Sequence, residues 1–406
     1  MHNLPKPSDC TGCGVCIDVC RKKALSHIID HNGFVKIVTD ESLCITCGAC
    51  ETVCPSINPP STMKCAQPFW CWTKDERVRK NSTSGGAFAQ LAYDFFQIHT
   101  SAIVVGAQLV EGSHVKHIVI SSPKDIVLLQ GSKYLQSETD DIYNQVSNFL
   151  KQGRHVLFSG TPCQVAAMRN RCPKAFAKHL VTIEVICHGL PSRILFELSL
   201  KLNKAKRIIT FRNKPENQWG LGCEPVYDTF TEKYNGYFYD CYFNDFFLKP
   251  ACYQCKFAQI PRVADISIAD GWGIQHSGIN NVAYKPGASL MIINSEKGRE
   301  IINWNSFESY PAKWEQFIPS NPCVITNLSY LKPLSLSNQI HRILRLPFGL
   351  MKYVFALRSP NKGWGLIAKP YIIIMLKLKN YKEKIKNKKI YRFLNNIQKD
   401  ETFRIH

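Results

Sequence analysis

Apolar and polar positions along the chain alternate between short buried runs and stripes spaced three and four residues apart. In "NSTSGGAFAQLAYDFF", Phe88, Leu91 and Phe95 form such a stripe, which predicts an amphipathic helix with Ser84 as its cap. "AIVVGA" follows and reads as a strand. "HVLFSG" reads as a buried strand, and behind it Thr161 suits an N-cap, Pro162 the first helical position and Gln164 a capping box. "VTIEVI" predicts a strand from Val181 to Ile186, and Ile266 and Ile268 alternate in a further short strand. Strands interleaved with helices over residues 63–325 predict a mixed α/β body. Residues 1–62 show no such pattern, and "NPPSTMK" reads as the linker out of them. Residues 326–406 read as a mainly helical tail. There Ile374, Leu378, Tyr381 and Ile385 are spaced four, three and four, among Lys377, Lys379, Lys382, Lys384, Lys386, Lys388 and Lys389. That is a basic amphipathic helix, suited to an anionic membrane surface or an acidic partner.

Composition narrows the class. The chain has 406 residues, 45% of them hydrophobic, enough for a sizeable core. The net charge is +20, but residues 331–406 alone hold 17 Lys/Arg against 3 Asp/Glu, so the remainder carries only +6. The basic character belongs to the tail, and nucleic acid is not the expected partner. The run "YIIIML", Tyr371 to Leu376, is far short of a membrane-spanning helix. The start "MHNLPKPSDC" has no apolar core of a secretion signal, and 18 cysteines in so long a chain point to metal ligation in a reducing compartment. A cytoplasmic protein is expected, its tail helix either making peripheral contact on the inner membrane face or with a partner, or packing as a solvated helix on its own body.

Eight of those cysteines form a repeat. Cys10, Cys13, Cys16 and Cys20 follow C-x2-C-x2-C-x3-C, and Cys44, Cys47, Cys50 and Cys54 follow it again, with Pro55 after the last. Three thiolates two residues apart wrap one iron–sulfur cube, and the fourth of each run reaches the other cube. Cys10, Cys13, Cys16 and Cys54 are therefore assigned to one 4Fe-4S cluster, and Cys44, Cys47, Cys50 and Cys20 to a second. Gly12, Gly14 and Gly48 permit the tight turns around them. Arg21 stands where proline is common. Zinc is the alternative, but its sites favour two separated C-x2-C pairs. The stretch resembles bacterial dicluster ferredoxins.

The body offers further chemistry. Serines and glycines opening the helix after Ser84 could seat a phosphate, or form a simple capped turn. Cys163 falls in a first helical turn, where the dipole favours a thiolate. Cys187 and His188 lie just past a strand end, where ligands sit in parallel α/β sheets. Cys252 and Cys255 form one C-x2-C pair. Cys163, Cys187, Cys252 and Cys255 could complete a third 4Fe-4S site or a zinc site, or be separate buried thiols. Six other cysteines, Cys65, Cys71, Cys172, Cys223, Cys241 and Cys323, are rivals, Cys223 and Cys241 first among them.

"STSGGAF", "GSKY", "GTPCQ", "CHGLPS", "CYQCKFA" and "ADISIADGWG" occur in that order, and from about Trp70 to Gly298 the chain resembles the beta-subunit family of coenzyme F-420 hydrogenases and dehydrogenases. The family also includes chlorophyll-pathway reductases and members with a dicluster ferredoxin fused in front. The resemblance implies FAD on the α/β body, iron–sulfur clusters feeding or draining it, and favours the third cluster. It implies Ser82, Thr83, Ser84, Gly85 and Gly86 at the flavin phosphates or ring edge, and Gly131, Ser132, Lys133 and Tyr134 as a second flavin loop. Lys133 would stabilise an anionic reduced ring, or be an ordinary solvated lysine. Tyr134 would stack or belong to the core. His188 would relay a proton or be structural, and Asp270 would orient a ligand or cap a turn.

The expected activity is that of an FAD- and 4Fe-4S-dependent oxidoreductase between a ferredoxin-like electron donor and a small-molecule acceptor, either a coenzyme F-420-type deazaflavin or a polysaccharide-pathway intermediate. An electron-transfer subunit for a separate catalytic partner and a non-enzymatic component of surface-polysaccharide biosynthesis are the alternatives.

Overall fold

In the computed structural model, residues 4–214, 219–220, 225–229, 238–239, 242 and 248–325 are described. The basic tail from 326, Cys223 and Cys241 lie outside the described residues. Chain order begins with α1 (Val15–Val19), the hairpin β1 (Leu25–Ile29) and β2 (Val35–Thr39), and α2 (Ala49–Val53). Then come β3 (Gln67–Thr73), α3 (Glu76–Asn81), α4 (Ala87–Ile98), β4 (Ile103–Val110), β5 (His114–Ile120), α5 (Ile126–Leu129), α6 (Ile142–Lys151), β6 (Val156–Gly160), α7 (Pro162–Arg171), β7 (Leu180–Val185) and α8 (Arg193–Leu202). Strands β8 (Ile208–Thr210), β9 (Val226–Tyr227), β10 (Ile266–Asp270), β11 (Ser289–Ile293) and β12 (Phe307–Pro311) complete the sheets.

Among the described residues, eight strands share one sheet in the order β12-β3-β11-β10-β7-β6-β4-β5. Its centre is parallel: β4 pairs with β6, β6 with β7, and β7 with β10. Antiparallel strands β5, β11, β3 and β12 flank that centre. This is the mixed α/β body that the alternation of helix and strand patterns predicts.

Period-2 alternation decides what each face buries. Val104 and Leu157 point to the face covered by α4, where they meet Leu91 and Phe95, both 0% exposed. Ile103, Val105, Val156 and Phe158 point to the other face, against Tyr143, Val146 and Leu150 of α6 and Val165 and Met168 of α7. Burying each such side chain contributes about 1.5–3 kcal/mol before entropy is subtracted. The expected strand ends shift by one residue at β7, where Ile186 bonds back to Ile268 O at 2.8 Å without extending the strand.

The expected cap of α4 is corrected. Gly86 caps it, at φ 83°, and no side chain completes the cap. An added Cβ at Gly86 would stand 2.7 Å from Thr73 Cγ2, so both conformation and space demand glycine. The Ser84 hydroxyl turns instead to Asp270. At α7 the expected box is present, with Gln164 Oε1 accepting from Thr161 N–H at 3.0 Å.

The cysteine-rich N-terminal region is built into the body. Cys13, Val15 and Val53 belong to the same apolar cluster as Phe158 and Met168. Polar contacts close the seam. Tyr143 Oη and Thr139 Oγ1 both donate to Cys13 O, at 2.8 and 3.0 Å, and Gln136 Nε2 donates to Gly12 O at 2.6 Å. Ser192 Oγ donates to Asn32 O at 2.6 Å, and Lys249 Nζ to Val35 O at 2.6 Å. Even the connecting segment is fastened: Met63 N bonds Arg262 O at 2.7 Å, and Arg169 Nη1 bonds Ser61 O at 2.6 Å.

Beneath the C-terminal end of β7, Arg262 and Glu184 form a fully buried ion pair. Glu184 also accepts from Ser267 Oγ at 2.7 Å, and Arg262 Nη1 donates to Val324 O at 2.8 Å. Removing one partner strands the other charge in the core. Arg262→Met is expected to cost about 3–5 kcal/mol in urea unfolding, and the double change with Glu184→Met to recover most of that loss.

Candidate functional site

The two cysteine runs owe their shape to glycine. Gly14 and Gly48 cap α1 and α2 at φ 85° and 73°, so each run turns sharply between its second and third cysteine. Cys13, Cys16, Cys50 and Cys54 are buried, and Cys47 is exposed. Cys16 lies within charge–charge range of Cys10 and Cys54, which the spacing assigns to its own set, and also of Cys50, which the spacing assigns to the other. Desolvation, then these neighbours, pushes the Cys16 thiol up to about 12. The Cys20 sulfur, assigned to the other set, accepts from Ala24 N–H at 3.3 Å.

The four body cysteines converge. Cys163 opens α7 beyond the end of β6, and Cys187 follows β7. Cys252 lies in the single turn Pro250–Gln254 and Cys255 directly after it. Each of the four sulfurs is within charge–charge range of the other three. Desolvation is the main cause that raises all four thiols, with Cys163 reaching about 11 and Cys252 about 12. This corrects the expectation of a dipole-stabilised thiolate at Cys163: burial and Cys255 outweigh one helical turn. Cys163 also lies in range of Cys13, so this group adjoins the first cysteine set across the seam.

Among the described rival cysteines, three stand elsewhere and Cys323 stands near the group. Cys65 neighbours Arg299, Cys172 neighbours Lys297, and Cys71 is fully buried in β3. Cys323 approaches His188, its sulfur 3.7 Å from Nδ1. Among the described residues, no three His, Cys, Asp or Glu side chains stand close enough to hold one metal ion. Thiolates on a single zinc would lie within about 4 Å of one another. Grouped cysteine sulfurs suit an iron–sulfur cube or a zinc ion, and the positive charge of either would offset the penalty of ionising crowded, desolvated thiols.

The two loops assigned to a flavin meet. Ser132 N–H donates to Thr83 Oγ1 at 3.0 Å, and Gln130 Nε2 donates to Ser82 Oγ at 3.0 Å. Ser84 Oγ donates to Asp270 Oδ1 at 2.5 Å, and Arg212 Nη1 donates to Asp270 Oδ2 at 2.6 Å. Asp270 thus ties the first loop to a cation. Gly85 lies against Cys71 O and Ser289 N, where an added Cβ would stand 2.6 and 2.7 Å away, and Gly131 sits in the open at φ 85°. Tyr134 packs against Phe211 and Tyr242, at ring centroids 5.8 and 5.1 Å. Lys133 is half-buried. Its ammonium donates to Leu129 O and Gln130 O, both at 2.7 Å, and desolvation lowers its pKa to about 7. An anionic partner would restore that charge, so the residues present fit a phosphate or a reduced flavin ring. His188 lies beside the third cysteine group, with Nε2 3.1 Å from Tyr242 O.

Sequence reasoning missed the residues that join these parts. Arg212, Trp219 and Trp272 surround Asp270; the two indoles stack at 4.6 Å and 11°. His117 in β5 carries Nε2 3.0 Å from Ser159 O and lies in range of Lys133, while its Nδ1 is buried without a partner. Nothing in the local sequence of β5 sets it apart from an ordinary strand histidine.

Comparison with known proteins matches these regions. The family described as the C terminus of the coenzyme F420 hydrogenase/dehydrogenase beta subunit matches residues 153–306, and the 4Fe-4S dicluster domain matches residues 9–57. The two matches together liken the chain to beta subunits of this kind, with a dicluster domain ahead of the matched body. It is an iron–sulfur redox protein. No curated protein matches it. Among solved structures, a chain of the xenon-derivatised F420-reducing [NiFe] hydrogenase complex from Methanosarcina barkeri is similar at 16% identity and a TM-score of 0.43, over 74% of this chain and 97% of that one. No helix among the described residues is long and apolar enough to cross a membrane.

His117 gives the site a pH signature. Desolvation lowers its pKa from 6.5 to about 4, so it folds neutral, while the unfolded chain binds a proton below 6.5. The stability this contributes is complete above pH 6.5 and is lost as pH falls to about 4, on the order of 3 kcal/mol in all. Denaturant titrations between pH 7.5 and 4 should show that loss, and His117→Gln should flatten it.

Proposed function

We propose that this chain is an iron–sulfur flavoprotein oxidoreductase working between a ferredoxin-like donor and a small organic acceptor. Three cysteine sets would hold 4Fe-4S clusters: Cys44, Cys47, Cys50 and Cys20 nearest the surface, then Cys10, Cys13, Cys16 and Cys54, then Cys163, Cys187, Cys252 and Cys255. The loops 82–86 and 131–134 would hold FAD. Bound FAD supplies the conversion between single electrons and an electron pair. The observation that supports this reading best is the convergence of Cys163, Cys187, Cys252 and Cys255, with Cys163 in range of Cys13 of the first ferredoxin-like run.

The chain's own residues have separate tasks. Exposed Cys47, flanked by Ile45 at 60% exposure, gives a docking protein access to the outermost set. Lys133 supplies a desolvated cation for the negative charge that reduction adds. Tyr134 walls the ring site, and His188 holds a proton position next to Cys187. The functional division follows 1–62 for the dicluster unit and 63–325 for the flavin and third-cluster body. Residues 326–406 supply the charge for peripheral contact with an anionic membrane face. The match at 153–306 favours a deazaflavin of the coenzyme F-420 type as acceptor over a polysaccharide-pathway intermediate.

Anaerobic purification followed by iron, sulfide and flavin assay tests this. About twelve irons and one flavin per chain are expected, and Cys252→Ser should lower the iron content by about four. Eight irons in both proteins, with no yellow cofactor released on heating, would refute both the third cluster and the flavin.

A further inference from the structure

Lys249 stands where the dicluster region, the body and two of the three cysteine sets meet. It is 3% exposed. Its ammonium donates to Val35 O of β2 at 2.6 Å and lies over the Phe34 ring at 5.7 Å. The same nitrogen presses on the first cysteine run: an added Cβ at Gly12, between Cys10 and Cys13, would come within 3.3 Å of it. Its backbone carbonyl accepts from Cys252 N–H at 2.8 Å, so its other end is joined to the third set. Gln136, which bonds Gly12 O, closes the loop beside it.

A lysine is rarely buried without a charged partner. Among the described residues, no carboxylate stands within salt-bridge distance of Lys249, although Cys10, Cys252, Asp30 and Cys163 all lie within its electrostatic reach. The anionic partners that match this arrangement are the two thiolate-bound clusters themselves.

We infer that Lys249 is a shared electrostatic positioning residue, which raises the reduction potentials of the first and third clusters together and leaves the outermost cluster at its own value. The inference rests on the three-cluster assignment above. A buried cation favours whichever redox state is more negative, and each one-electron reduction adds a negative charge. Holding both centres in one field keeps their potentials close to each other, so an electron crosses the seam with little loss and flows inward from the outermost set. Arg262, which lies in range of Cys255, reaches only one of the two groups and is neutralised by Glu184.

Potentiometric titration monitored by electron paramagnetic resonance tests it, on the full chain prepared anaerobically. Iron and sulfide counts on the unaltered protein come first. Fewer than three clusters there would remove the three-cluster assignment, independently of Lys249. With three present, Lys249→Met and Lys249→Gln should each lower the reduction equilibrium constants of two clusters by about tenfold, 59 mV for a one-electron couple, and leave the third unchanged. Lys249→Arg should keep both near their original values. Two neutral variants of different polarity guard against one failing to fold. Potentials unmoved in either neutral variant, a uniform shift of all three clusters, or an equal fall in Lys249→Arg would overturn the inference.

Discussion

Crowded sulfur needs positive charge. A buried thiol resists ionisation because it loses its hydration, and a second thiolate nearby adds repulsion. In this protein, burial and neighbouring thiols raise Cys13, Cys16, Cys163, Cys187 and Cys252 together. A metal's positive charge would offset that penalty, and the polypeptide gathers these sulfurs by local turns and strand ends. Glycines at positive φ turn the two ferredoxin-like runs. Strand ends and one short turn deliver the other four cysteines.

Rigidity at the seam follows from that requirement. Electron transfer between separate centres depends on fixed spacing, and a flexible tether between a ferredoxin unit and a body would not supply it. Here Cys13 and Val15 share an apolar cluster with α6 and α7, and the Cys13 carbonyl accepts from both Thr139 and Tyr143. Ser192 and Lys249 anchor the hairpin strands from the other side. The linker lies in hydrogen-bonded contact with the body, so the two regions pack together, with Cys13 and Cys163 on either side of the join.

The parallel strands give the loops 82–86 and 131–134 and the body cysteine group a common edge. β6 and β7 end side by side, so the residues that follow them, Thr161 to Cys163 and Cys187 to His188, are neighbours although far apart in sequence. Asp270 at the end of β10 reaches the same edge and binds Ser84 and Arg212. Two basic residues near this edge differ in their partners: desolvation lowers Lys133 to about 7 while its nitrogen donates to Leu129 O and Gln130 O, whereas Arg262 is matched by Glu184.

Much of this was legible in the sequence because the signals were local. The spacing of eight cysteines assigned two sets without any knowledge of the fold, since cube geometry acts over eleven residues at a time. Helix and strand periodicity placed β6, α7, β7 and β10 within about a residue, because burial on one face imposes its own repeat. The Ser84 cap failed for an equally physical reason: Asp270, 186 residues away, offered its hydroxyl a better partner, and Gly86 already met the backbone's demand. What needed tertiary structure was every relation between distant segments. No spacing rule joins Cys163 to Cys187 and to the 252–255 pair, places His117 beside Lys133, or sets Lys249 against Gly12. Those contacts arise from strand order and from how two regions dock, and only the folded chain decides them.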